Sequence, residues 1–130
     1  MTAHTYDASV VVVADDDDDL RMLVTIKLRQ AGFDVTPVSN GTDALEAIRE
    51  LRADLAVLDV MMPGLSGLDV IAEVRADASL SACRLLLLSV RHLEDDLDRG
   101  YARGADDYLA KPFSPRELVM RAQALVHRTT

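Results

Sequence analysis

Val10-Val11-Val12-Val13-Ala14 is followed at once by five aspartates, Asp15 to Asp19. Four consecutive β-branched residues with no polar alternation describe a strand buried on both faces, as in a parallel sheet. The chain then places charge where such a strand would emerge. The pattern recurs: Leu55-Ala56-Val57-Leu58 ends at Asp59, Leu85-Leu86-Leu87-Leu88 ends at Ser89, and Tyr108-Leu109-Ala110 ends at Lys111. A short β-prone run, Phe33 to Val38, is bounded by Asn40-Gly41.

Amphipathic stretches lie between these runs. Leu20, Leu23, Val24, Leu28 and Ala31 fall at helical spacing, with Gly32 at the stop. Ala44, Leu45, Ile48 and Leu51 mark a second helix. Met61-Met62-Pro63-Gly64-Leu65 reads as a loop, after which Ser66 caps a helix with Leu68, Ile71 and Ala72 inward. Leu93, Leu97 and Tyr101 suggest a weak helix containing Gly100 and stopped by Gly104. Ser114-Pro115-Arg116-Glu117 has the pattern of a capping box with proline at the first helical position, and Leu118, Ala122, Leu125 and Val126 carry the last helix. Five strands alternating with five helices predict a doubly wound α/β fold with a five-stranded parallel sheet. Ligands of such sheets bind beyond the carboxyl ends of the strands.

The bulk properties narrow the function. At 130 residues the chain has the length of one domain. Residues 1–8 are expected to form a disordered leader and residues 9–128 the domain. With two Phe, three Tyr and no Trp, the core must be aliphatic. A net charge of −8 argues against direct nucleic-acid binding and favours cationic partners. One cysteine, Cys83, permits no internal disulfide and suits a reducing cytoplasm. No apolar run approaches a transmembrane span, so no membrane role is expected. His4, His92 and His127 show no ligand spacing and read as surface residues.

The strand ends bring Asp15, Asp16, Asp59, Ser89 and Lys111 to one edge. Three neighbouring carboxylates repel, and a hard cation with oxygen ligands relieves them, Mg²⁺ being the usual one and Mn²⁺ a substitute. An ionised carboxylate needs no general base to act as a nucleophile. Phosphoryl transfer to it needs mainly positioning and neutralisation of the phosphoryl oxygens. Asp17, Asp18 and Asp19 read as first-turn acids favoured by the helix dipole. The plainer reading of Asp16 and Asp59 is as caps or solvated strand ends.

Four blocks decide between these readings. Val13-Ala14-Asp15-Asp16-Asp17, Leu58-Asp59-Val60-Met61-Met62-Pro63-Gly64, Leu88-Ser89 and Ala110-Lys111-Pro112-Phe113 resemble the signature blocks of bacterial two-component response regulator receiver domains, which have a flavodoxin-like fold. The resemblance is strongest to receivers of the winged-helix DNA-binding class. It implies that Asp59 accepts a phosphoryl group from a histidine kinase or phosphotransfer protein. It also implies that Asp15, Asp16, Asp59 and the Met61 carbonyl hold Mg²⁺, that Ser89 and Lys111 contact the phosphoryl group, and that Ser89 and Tyr108 switch. The Lys111-Pro112 bond is expected to be cis. Such domains hydrolyse their own acyl phosphate slowly and are otherwise not enzymes.

For that class the resemblance further implies a phosphorylation-dependent homodimer in which Arg99 meets Glu117, Asp107 meets Arg121 and Asp106 meets Arg128. Two residues depart from the usual pattern: Ser66 replaces an acidic residue, and Val90 stands where alanine is common. Two other readings stay open, a phosphorylation-independent pseudo-receiver and an Mg²⁺-dependent phosphohydrolase using the Asp15-Asp16-Asp17 pattern.

Overall fold

The computed structural model describes residues 8–90 and 103–127. Its elements run β1 (Val10–Ala14), α1 (Asp18–Gln30), β2 (Asp34–Val38), α2 (Gly41–Leu51), β3 (Leu55–Asp59), α3 (Gly67–Ala76), a short 3₁₀ turn (Ala78–Leu80), β4 (Arg84–Val90), β5 (Asp107–Lys111) and a last helix (Pro115–Val126). All strand pairs are parallel, in the order β2-β1-β3-β4-β5. Four of the five expected helices lie among the described residues. The weak helix expected over Leu93 to Tyr101 lies outside them.

Each strand feeds two cores because its side chains alternate between faces. Val11, Val13, Leu55, Val57, Leu86, Leu88 and Leu109 pack with α1 and the last helix, through Val24, Leu28, Leu118, Ala122 and Leu125. Val12, Ala14, Ala56, Leu58, Leu85 and Leu87 pack with α2 and α3, through Ala44, Leu45, Ile48, Leu68, Ile71 and Val74. Helices on both sides explain why the strands read as unbroken apolar runs. Cys83 is buried in the second core just before β4, and burial pushes its thiol up to about 12. It packs as a small apolar residue.

The helix starts follow local chemistry. Asp17 is the N-cap of α1, accepting from the Asp19 and Leu20 amides, so it is a cap and not the first-turn acid its sequence position suggested. Asn40 caps α2, and Ser66 with Asp69 forms a complete capping box at α3. At the last helix the box is only half made. Ser114 accepts from the Glu117 amide, while the Glu117 carboxylate turns to Arg121. Gly32 ends α1 with φ +100°, a conformation that a side chain would strain. The inner faces differ from expectation in detail. Leu23 is 40% exposed and Ala72 is exposed, while Val70 and Val74 of α3 are buried. Both faces shifted because helix rotation is set by the sheet below, which spacing alone does not reveal.

Gly67 starts α3 directly against the end of β3. Its amide donates to the Val60 carbonyl at 2.9 Å, and a Cβ there would fall onto the Asp59 carbonyl oxygen. Backbone cannot move aside as a side-chain tip can. Gly67→Ala should therefore destabilise the domain by about 1–3 kcal/mol, read as a lower urea midpoint with an unchanged slope. An unchanged midpoint would show that the β3–α3 loop yields freely.

Candidate functional site

Strand alternation decides which side chains meet. Val13, Val57 and Leu109 lie on the face toward α1 and the last helix. Two residues further on in each strand direction come Asp15, Asp59 and Lys111. The register aligns them, since Ala14 pairs with Leu58 and Asp59 with Leu88. Lys111 pairs with Val90, two residues beyond Asp59's own partner on the same strand β4. The Lys111 Nζ reaches 3.1 Å from Asp15 Oδ2 and 3.2 Å from Asp59 Oδ1. One ammonium thus serves two carboxylates that are 1% and 6% exposed.

Asp15 is held on both oxygens. Its Oδ1 accepts from the Asp17 amide at 3.0 Å and its Oδ2 from Lys111. Asp16 is exposed, and no hydrogen bond or ion pair joins its side chain to another described residue. Asp15, Asp16 and Asp59 each offer one carboxylate oxygen, and the three oxygens lie within 4.8 Å of one another. With all three ionised, the cluster and Lys111 together carry a net charge of −2. A hard divalent cation with oxygen ligands fits that donor set.

Electrostatics at Asp59 follow from this crowding. Burial, then the charge of Asp15, raises its carboxyl to about 6, against the opposing pull of Lys111. Burial works against the Lys111 ammonium, yet the charges of Asp59 and Asp15 outweigh it and raise its pKa. Both shifts mark a site short of positive charge.

Ser89 and Tyr108 lie on the other face. Tyr108 is half-buried against the α2–α3 core, and Leu87, its register partner, is in that core. Ser89 follows Leu87 by two residues, so both point to the same side. Ser89 is buried, with its hydroxyl donating to the Val90 carbonyl at 3.4 Å. Met61, two residues past β3, has an exposed side chain. Val90 is 57% exposed beside the cluster. The Lys111-Pro112 bond is cis, as expected.

The charges expected at a dimer seam are paired within the chain. Arg121 Nη1 lies 3.0 Å from both Asp107 oxygens, and its Nη2 lies 3.1 Å from Glu117. Asp106 Oδ2 accepts from Arg75 Nη2 at 2.6 Å and from the Leu85 amide at 2.8 Å. Arg99 and Arg128 lie outside the described residues. Sequence reading missed two arginines near this machinery. Arg75 ties α3 to the Cys83 and Gly104 carbonyls as well as to Asp106. Arg21 binds the Asp15 carbonyl. Neither had a signal beyond being a cation on a helix.

Over residues 11–123 the chain matches the response regulator receiver domain, and it belongs to that family. Among its relatives, the DNA-binding response regulator MtrA of Mycobacterium tuberculosis is 44% identical over 118 residues, covering 91% of this chain and 50% of the relative. The chain spans about half the length of the curated relatives it matches. A putative response regulator from Chloroflexus aurantiacus superposes with a TM-score of 0.87 at 32% identity, over 92% of this chain and 98% of that one. The receiver domain of sensor histidine kinase PA1611 from Pseudomonas aeruginosa, solved with a magnesium ion in its active site cleft, superposes at 0.85 with 26% identity, over 93% and 99%. The family makes the chain the phosphorylation-operated switch of a two-component system. No helix among the described residues is long and apolar enough to cross a membrane.

The Asp59 shift carries a stability consequence. Unfolded, its carboxyl titrates near 3.8, and folded near about 6. The folded state holds more protons between those values, so stability falls as pH rises through that window. At neutral pH the whole cost is present, at most about 3 kcal/mol at roughly 1.4 kcal/mol per unit. In metal-free buffer Asp59→Asn should melt higher than wild type at neutral pH and show a shallower decline across the window. Thermal unfolding followed by circular dichroism checks this. A lower melting temperature for the variant would show that the Lys111 contact outweighs burial.

Proposed function

We propose that Asp59 is the phosphoacceptor, receiving its phosphoryl group from a histidine kinase or a phosphotransfer protein. The observation that carries this reading is the Lys111 ammonium shared between Asp59 and Asp15, 3.2 Å and 3.1 Å away. An Asp59 oxygen forms the new bond to phosphorus as the bond to the donor breaks, and the leaving group takes the electron pair. Lys111 is within reach of a phosphoryl oxygen on Asp59, and the Ser89 hydroxyl serves another. The phosphohydrolase reading needs Asp15 as nucleophile, but both Asp15 oxygens are engaged and the residue is 1% exposed.

Asp15, Asp16 and Asp59, with the Met61 carbonyl, would hold Mg²⁺ or Mn²⁺. Bound there, the ion supplies charge neutralisation for the phosphoryl oxygens. The chain's own contribution is to fix the carboxylates and Lys111 in place. Ser89 and Tyr108, sharing one face of β4 and β5, are the elements through which the phosphoryl group reaches the surface. The acidic domain does not itself bind nucleic acid. It works in the cytoplasm, as its lone reduced cysteine suggests.

Acetyl phosphate with Mg²⁺ should add one phosphoryl group, seen as a single mass increment labile to base and hydroxylamine. Asp59→Asn should abolish it, and labelling of that variant at another residue would overturn the assignment.

Phosphorylation further promotes a two-fold dimer through Arg99, Asp106, Asp107, Glu117, Arg121 and Arg128. In the protomer Asp107 and Glu117 share Arg121. Forming the dimer exchanges these contacts for equivalent ones across the axis. Such exposed pairs are worth about 0–1 kcal/mol each, so the resting domain should be monomeric. Analytical ultracentrifugation should show dimer only with fluoroberyllate, weakened by salt and by Arg121→Glu. A monomer with fluoroberyllate at low salt would assign this surface to another partner.

A further inference from the structure

Asp16 poses a positioning problem. Asp15 is fixed by two contacts and Asp59 by Lys111, but Asp16 projects into solvent without a described partner. Its carboxylate nonetheless lies within 4.8 Å of the other two. With no contact on the side chain, its place depends on the backbone of the turn between β1 and α1. Three groups hold that turn. The Asp15 amide donates to the Val38 carbonyl, and the Asp17 amide donates to Asp15 Oδ1. The third is Arg21, one turn into α1, whose Nη1 donates to the Asp15 carbonyl at 2.8 Å. That carbonyl belongs to the peptide leading into Asp16. Its orientation helps to set the direction of the Asp16 Cα–Cβ bond.

Arg21 is itself held. Its Nη2 lies 2.6 Å from Asp18 Oδ1, and its side chain is only 21% exposed. A planar fork gripping a carbonyl with one nitrogen and a carboxylate with another has little freedom left. We propose that Arg21 is a positioning residue for the cation site: it fixes the Asp15–Asp16 peptide so that the Asp16 carboxylate faces those of Asp15 and Asp59. This rests on the reading of that carboxylate cluster as a divalent-cation site.

The sign of the effect separates this role from simple charge. A guanidinium near an acidic site repels a cation, so removing it should tighten Mg²⁺ binding if only its charge matters. Loss of a group that orients a metal ligand weakens binding, typically by about 10–100-fold. The two accounts predict opposite changes.

The test is Mg²⁺ titration of the intact chain, followed by backbone amide NMR, since there is no tryptophan. Wild type and Asp16→Ala come first. If wild type shows no saturable shifts at Asp16 and Asp59, the cation site itself is wrong. If it binds and Asp16→Ala does not, the positioning variants are decisive. Arg21→Met should bind at least about ten-fold more weakly, with faster hydrogen exchange at the Asp16 and Asp17 amides. Arg21→Lys keeps the charge but cannot grip both acceptors, and should lose several-fold. Asp18→Asn leaves the contact to the Asp15 carbonyl in place and should stay within about two-fold of wild type, the scale of an exposed i,i+3 pair. Arg21→Met binding Mg²⁺ as well as wild type, or better, overturns the proposal. Should that variant not fold, Arg21→Lys decides alone, and wild-type affinity there overturns it equally.

Discussion

One lysine ammonium shared by two buried carboxylates is the interaction on which the site turns. Lys111 lies 3.1 Å from Asp15 and 3.2 Å from Asp59, and both aspartates are nearly closed to water. An isolated buried carboxylate would take up a proton or move to solvent. Here neither can move, because each sits at the end of a central strand with apolar layers on both sides. Asp59 therefore keeps part of the cost, visible in a carboxyl raised to about 6 by burial and then by Asp15. A fully compensated carboxylate would have no reason to accept a cation and a phosphoryl group. The cluster is one cation short of balance, and on the proposed reading a bound divalent ion would relieve that shortage.

Such a site needs a rigid frame, and the sheet provides it. Its central strands contribute Val11, Val12, Leu55, Ala56, Val57, Leu58, Leu85, Leu86 and Leu87 to the two cores, all with no measurable exposure. Because the cores lie on opposite faces, the alternation that fills them also sorts the polar residues beyond. Asp15, Asp59 and Lys111 continue one face, and Ser89 and Tyr108 the other. The acidic cluster and the Ser89–Tyr108 pair thus lie on opposite faces of the sheet, a few residues apart along it.

Much of this was legible in the chain. Apolar runs of three to five residues ending in Asp, Ser or Lys point to both the parallel sheet and the edge where the polar residues collect, since strand direction and strand end are local properties. Helix caps at Ser66 and Ser114 were likewise local, although the box read at Ser114–Glu117 is only half made. What stayed hidden depends on contacts between residues distant in sequence. Arg75 reaches Asp106, 31 residues on, and nothing near either position signals the pair. The role of Asp17 as the cap of α1 was obscured by a different cause. In a run of five aspartates every one is chemically able to cap, and only the exit angle of β1 selects among them. The same uncertainty in helix rotation exposed Leu23 and Ala72 and buried Val70.

The surface charges of β5 and the last helix need a different energetic treatment from those of the site. Arg121 already satisfies Asp107 and Glu117, and Arg75 already satisfies Asp106. Carrying such pairs from within a chain to between two chains conserves their number, so the exchange is close to neutral and cannot by itself drive association. It can decide which surface, and which register, association uses. In the proposed dimer the free energy would come from the buried site, where one added phosphoryl group would change the charge balance among three carboxylates and a single lysine. Asp106 sets the limit of the exchange. Its bond to Arg75 is 2.6 Å long and shielded, and it also accepts from the Leu85 amide. Releasing it would leave one Arg75 nitrogen and a backbone amide without their acceptor at the base of β4, at a cost well above that of a surface pair. The Asp107 and Glu117 pairs with Arg121 are therefore the ones that would cost least to exchange, and the Asp106–Arg75 pair the one that would cost most.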